Sequence, residues 1–270
     1  MMKQDLDAAP ELLSDTTRRF YLDSMHVLHE AGIEFLVGGA YSLGHYCGVV
    51  RHTKDFDVFV RKSDLPRALG AFERAGYLTE LVFPHWLAKT FKPRSEDFVD
   101  IIFSSGNGLC DVDDEWFDHA VDGTALDRPA RLVPAEEIIW TKAFIQERER
   151  FDGADIAHLL LARGPELDWD RLKKHFLGHE QVLLAHLILF TYIYPADRAQ
   201  IPWAIVEELM QRVRDERPPD KRICRGPFIS RAQYLPDIRD GGFEDARLGP
   251  AGSMKPEDVA HWTAAIGTIK

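Results

Sequence analysis

Two carboxylates, Asp55 and Asp57, stand two residues apart in Thr53-Lys54-Asp55-Phe56-Asp57-Val58-Phe59-Val60. On a strand, residues at that spacing point to one face. Both carboxylates therefore project together, while Phe56 and Val58 turn toward a core. Adjacent carboxylates repel each other unless a cation sits between them. Hard oxygen ligands of this kind suit Mg²⁺ or Mn²⁺. A solvated acidic face on an edge strand would show the same Asp-x-Asp. A third acid, Asp100, lies inside the apolar run Asp97-Phe98-Val99-Asp100-Ile101-Ile102-Phe103. An unpaired charge there is costly. Its partner is either a shared metal ion or a salt bridge, for which Lys89, Lys92 and Arg94 are the nearby bases.

Chemistry at phosphorus needs a cradle for phosphates, cations to neutralise charge and carboxylates to hold them. The segment Phe35-Leu36-Val37-Gly38-Gly39-Ala40-Tyr41-Ser42 offers a cradle. Two glycines at a strand end let the backbone approach a phosphate, and a following helix presents free N–H groups and the positive end of its dipole. Ser42 is a candidate hydroxyl donor. Taken alone, Gly38-Gly39 is equally a tight strand-to-helix turn.

In this order the three parts resemble the DNA polymerase β-type nucleotidyltransferase superfamily: Gly-Gly, a helix, Asp-x-Asp on a strand, then a later Asp on another strand. The likeness is greatest to the minimal and toxin-type bacterial members. It spans residues 33–103, and Arg51-His52-Thr53-Lys54-Asp55-Phe56-Asp57 resembles the Arg-x-Thr-x-Asp-hydrophobic-Asp phrase of that group. The spacing from Gly39 to Asp55 is longer than in its most compact members. The resemblance implies transfer of a nucleoside monophosphate from an NTP, ATP among them, to an acceptor hydroxyl. Asp55, Asp57 and Asp100 would hold two Mg²⁺ or Mn²⁺ ions, with Asp100 drawing or positioning the hydroxyl proton. Gly38, Gly39 and Ser42 would hold the triphosphate, with Arg51 or Lys54 stabilising phosphate charge. Arg51 is the better match to the motif, since Lys54 points opposite to Asp55. A weaker likeness places Lys142, with Arg150, Asp152 and Asp155, near the nucleotide. A charged helix surface laced with i,i+4 pairs explains those residues equally well. The toxin-type likeness further implies a tRNA end, a protein or a small molecule as acceptor, and an antitoxin as a candidate partner.

The elements that must position these residues follow from pattern. Residues 16–31 read as an amphipathic helix closed by Gly32, residues 33–37 as a strand, and Tyr41 to Tyr46 as a helix. Asp55 to Val60 reads as a strand and Leu65 to Ala75 as a helix. Strands follow at Leu78 to Phe83, Leu87 to Phe91 and Phe98 to Phe103. The expected fold is an α/β (α+β) core with a mixed sheet over residues 1–130. A mainly helical part follows over 131–217, opened by Pro134 with acids behind it. An irregular tail with a terminal helix, 218–270, packs on the body.

The chain has 270 residues and a formal net charge of −11. Such a surface disfavours general coating of nucleic acid unless bases gather locally. Lys142, Arg148, Arg150, Arg225 and Arg231 are the bases expected to gather between core and helical part, around a specific acceptor. An aminoglycoside-like polycation would instead suit the acidic surface. Three widely spaced cysteines form neither a metal motif nor a disulfide framework, and with the polar N-terminus they point to the cytoplasm. The longest apolar run, Val182 to Tyr194, is too short for a membrane span. His175, His179 and His186 read as core or surface histidines, and Asp111 to Glu115 as a solvated turn. Two other classes remain: a nucleotide-binding or interaction module without chemistry, and a metal-dependent phosphohydrolase. The latter usually adds His ligands, and none stands near Asp55, Asp57 or Asp100 in sequence.

Overall fold

The computed structural model describes residues 13–48, 55–249 and 252–265. The chain opens with α1 (Asp15–Glu30), whose N-terminus is capped by the Ser14 hydroxyl accepting from the Thr17 N–H. Then come β1 (Leu36–Val37), α2 (Gly39–Cys47), β2 (Phe56–Phe59) and α3 (Leu65–Arg74). Next are β3 (Leu78–Phe83), β4 (Leu87–Phe91) and β5 (Phe98–Ile102), followed by α4 (Asp114–Asp118), β6 (Val121–Ala125) and β7 (Arg128–Leu132). The strands make one mixed seven-stranded sheet in the order β3-β4-β5-β2-β1-β7-β6.

One face of the sheet carries Phe56, Val58, Val99 and Ile101 against Phe20, Tyr21 and Leu28 of α1 and Ala68 and Phe72 of α3. The burial of β2 alternates as its sequence demands, with Phe56 and Val58 buried and Asp57 and Phe59 half-buried. The opposite face looks toward α2 and the helical half. There Leu36, Leu43 and Tyr46 share a core with Trp116, Ile139, Ile156 and Leu160.

The hairpin of β6 and β7 is absent from the pattern reading. Its turn residues, Leu126 and Asp127, both have positive φ (52° and 59°), and Ala125 pairs with Arg128 across a two-residue loop. That geometry usually announces itself by Asn-Gly or Asp-Gly. Here Arg18 of α1 steadies the turn instead, donating to the Leu126 carbonyl (2.8 Å) and the Asp127 carboxylate (3.1 Å). β7 lies parallel to β1 and pairs Leu132 with Val37. The sheet therefore runs across the expected boundary at residue 130.

The helical half comprises α5 (Ala135–Ala143), α6 (Gly153–Arg163), α7 (Trp169–His175), α8 (Glu180–Ile193) and α9 (Trp203–Asp215). The tail adds β8 (Ile223–Cys224), α10 (Leu235–Arg239), β9 (Glu244–Asp245) and α11 (Pro256–Ala264). Trp262 of α11 packs edge-on against Phe83 and Trp86 and lies beneath the Arg231 guanidinium, 4.4 Å from the ring centre. The three histidines are structural. His175 stacks on Trp140, His179 meets Phe144 and Phe228 edge-on, and His186 bonds to the Ala143 carbonyl. The acidic stretch at 111–115 caps a helix, with the Asp113 carboxylate accepting from the Glu115 N–H. Among the described residues, no helix is long and apolar enough to cross a membrane.

Candidate active site

The site forms where β1 ends. Gly38 donates its N–H to the Asp57 carbonyl at 3.0 Å, which extends the pairing of β1 with β2 by one rung. Gly39 then turns the chain into α2 with φ +56°, in the left-handed region that favours glycine. A Cβ on Gly39 would stand 1.9 Å from the Asp57 Oδ2, and one on Gly38 would stand 2.2 Å from the Phe59 ring. The glycines are thus required by what β2 presses against them. The Asp57 carboxylate lies directly on the backbone that opens α2, where N–H groups have no partner within the helix.

Asp57 and Asp100 are direct neighbours in the parallel pairing of β2 and β5, so their side chains share one face. Asp55 is exposed just before β2, and its charge bears on both Asp57 and Asp100. Burial pushes the Asp57 carboxyl up to about 7, and the charges of Asp100 and Asp55 add to that rise. Lys142 and Arg150 act in the opposite sense on Asp57, which places the helical half within electrostatic reach of the carboxylates. Asp100 is also raised by burial, against the pull of Lys89.

Lys89 stands opposite Asp100 in the antiparallel pairing of β4 and β5. Its ammonium lies 2.8 Å from the Asp100 Oδ1 and 3.6 Å from the centre of the Phe98 ring. Of the three bases named for a salt bridge to Asp100 in the sequence, Lys89 is the one that makes it. Among the described residues, no three or more His, Cys, Asp or Glu side chains are gathered as a metal-holding group. The chemistry of Asp55, Asp57 and Asp100 still fits a hard divalent cation: each offers carboxylate oxygens, and the charges of Asp100 and Asp55 add to the rise that burial imposes on Asp57.

Lys142, at the end of α5, bridges Asp152 (2.7 Å) and Asp155 (2.8 Å) at the start of α6. Arg150 completes the group with two 2.8 Å bonds to Asp152. Burial works to raise Asp152, but Arg150 and Lys142 outweigh it and hold the carboxyl below its ordinary range. This is a fixed network beside the site and not a run of i,i+4 surface pairs.

Ser42 does not face the cradle. It is fully buried, and its hydroxyl donates to the Val37 carbonyl at 2.5 Å, tying α2 to β1. A hydroxyl three positions into a helix can bond back to a preceding carbonyl, an option the sequence leaves open. Arg51 and Lys54 lie outside the described residues. The other expected bases are each paired: Arg148 with Glu149, Arg225 with Glu216, and Arg231 with Glu147.

No family model matches the chain, and no curated protein matches it. Among solved structures it is similar to the antibiotic-resistance factor ANT(2'')-Ia, with 17% identity and a TM-score of 0.43 over 64% of this chain and 98% of that one. It is also similar to an antigenic nucleotidyltransferase-like protein from Paracoccidioides brasiliensis, with 16% identity and a TM-score of 0.44 over 74% and 100%. A third likeness is to the lincosamide antibiotic adenylyltransferase LnuA, with 15% identity and a TM-score of 0.37 over 54% and 96%.

Proposed function

We propose that this protein transfers a nucleoside monophosphate from an NTP to the hydroxyl of a specific acceptor. One observation carries the reading: Asp57 is pressed against the Gly39 backbone while sharing a sheet face with Asp100. Phosphate-binding N–H groups and cation-binding carboxylates thereby meet at a single point. Asp55 and Asp57 would hold Mg²⁺ or Mn²⁺, with Asp100 as the third ligand. Ions bound there would neutralise charge on the phosphates.

The chain's own groups have separable tasks. Backbone N–H groups at Gly38 and Gly39 orient the triphosphate at the positive end of α2. Asp100 accepts the proton of the acceptor hydroxyl, or fixes its direction. The oxygen then attacks the α-phosphorus and pyrophosphate departs. Lys142, already fixed by Asp152 and Asp155, directs positive charge toward the site from the helical half. The acceptor enters between the two halves. An RNA end, a protein or a small molecule each fits that description, and an antitoxin partner is compatible with it.

A second reading, nucleotide binding without chemistry, is favoured by the salt bridge that already occupies Asp100. Labelled ATP and Mg²⁺, offered with pools of RNA, protein and small molecules, separates the two. Transfer of label is the expected result, and Asp57→Asn should abolish it while leaving the circular dichroism spectrum unchanged. Nucleotide bound without transfer to any pool favours the second reading. Full transfer by Asp57→Asn removes the assignment.

A further inference from the structure

Lys89 is not a bystander of the sheet. It faces Asp100 across the β4–β5 ladder, where directly opposed side chains lie within easy reach. Its ammonium is held twice over, at 2.8 Å from the Asp100 Oδ1 and at 3.6 Å from the centre of the Phe98 ring. The side chain is only 22% exposed and that of Asp100 only 15%, so solvent screens the pair weakly. The positive charge thus occupies one of the three carboxylates that a divalent ion would need.

We propose that Lys89 is a resident counter-ion of the site: it holds Asp100 in the metal-free protein and must leave that carboxylate before Asp100 can join Asp55 and Asp57 around a divalent cation. The inference rests on the nucleotidyl-transfer reading of those carboxylates. Its consequence is that Lys89 sets the affinity for metal. An ammonium 2.8 Å from a ligand oxygen repels the incoming ion and already satisfies part of the carboxylate's charge. Binding in the absence of nucleotide is therefore weak.

Direct titration of the full chain with Mn²⁺, followed by electron paramagnetic resonance without nucleotide, tests this. Lys89→Met should bind Mn²⁺ at least about tenfold more tightly than the wild type, whereas Lys89→Arg should bind as weakly as the wild type. A Lys89→Met protein that is folded by circular dichroism yet binds Mn²⁺ like the wild type overturns the proposal. If Lys89→Met fails to fold, Lys89→Gln takes its place with the same expectation. The cycle with Asp100→Asn adds a readout that a merely structural lysine would not move. In that background the Lys89 substitution should no longer change Mn²⁺ affinity, and an undiminished gain counts against the idea. Failure of the underlying reading looks different: Mn²⁺ binding would then be indifferent to Asp57→Asn in every form of the protein.

Discussion

Asp57 is the residue on which position and charge converge. Its carboxyl is raised to about 7 by burial and by the charges of Asp100 and Asp55. In the unfolded chain it titrates in the ordinary carboxylate range. Between those two values the folded state retains a proton that the unfolded state has lost, so stability falls as pH rises. The metal-free protein should lose melting temperature from about pH 4 to pH 7 through this group, and the loss should level off above pH 7. Asp57→Asn should flatten that dependence and raise the melt at pH 8, at about 2–4 °C per kcal/mol for chains near this size. Calorimetry across pH in a chelating buffer gives the answer. An identical slope in wild type and mutant would place the carboxyl in an ordinary environment.

Gly39 yields the second prediction at this scale. A Cβ there would sit 1.9 Å from the Asp57 Oδ2, on a backbone with φ +56°. Alanine in the left-handed region costs about 1–2 kcal/mol, and the clash must also displace the carboxylate. Misplacing a reacting group by about 1 Å can cost roughly 10²-fold in rate. Gly39→Ala should therefore stay folded at 25 °C but transfer nucleotide at least about 10²-fold more slowly. Gly32→Ala, at φ +61° with nothing within 4 Å of the added carbon, is the control that carries backbone strain alone. Equal activity in the two variants would show that the contact with Asp57 is immaterial.

The elements differ in how openly the sequence declares them. Residues 55–60 and 98–103 were legible as strands because Asp57 and Asp100 interrupt otherwise regular apolar patterns. A period of two puts Asp55 and Asp57 on one face, whereas the placing of Asp57 beside Asp100 rests on the β2–β5 register, which spacing does not specify. β1 is shorter than residues 33–37 suggested, since only Leu36 and Val37 pair with β2, and of these Val37 alone is also paired with β7. The β6–β7 hairpin was hidden because its positive-φ turn is built from Leu126 and Asp127, with Arg18 of a distant helix holding it. The choice between metal and Lys89 at Asp100 was likewise open, since it depends on a cross-strand register that spacing alone does not specify. Glu136 and Glu137 read as acids favouring a helix N-terminus, which they are. Their tertiary role was invisible: both are buried, and both bind Arg171 of α7. His175 adds a 3.1 Å contact to Glu137. Arg171 thus fastens α7 to α5, the helix that carries Lys142. Removing one partner of a buried ion pair costs about 3–5 kcal/mol, because the remaining charge is stranded. Arg171→Leu should lose stability on that scale in urea denaturation, and adding Glu136→Gln and Glu137→Gln should restore part of it. A loss below about 1 kcal/mol for Arg171→Leu would mean that water reaches the two glutamates.

Across the whole molecule, charge constrains the proposed acceptor. The formal net charge is −11, and the bases expected to gather near the site are already occupied. Arg150 is bound to Asp152, Arg225 to Glu216 and Arg231 to Glu147, and Lys142 is shared between Asp152 and Asp155. Non-specific affinity for nucleic acid grows with the number of phosphates neutralised, each contributing about 0.9 to the logarithmic salt slope on duplex DNA and about 0.7 on single strands. Bases that must first leave a carboxylate contribute less. Random RNA and DNA should therefore bind weakly at physiological salt, with a slope corresponding to only a few phosphates. The positive charge of Lys142 and Arg150 still reaches Asp57, which on the proposed reading would favour one phosphate or one RNA end at the site over a whole strand. Fluorescence anisotropy against ionic strength distinguishes these cases. Tight, sequence-indifferent binding near 150 mM salt with a steep slope would show that the paired arginines are free to exchange partners, and an extended nucleic acid would then become the favoured acceptor.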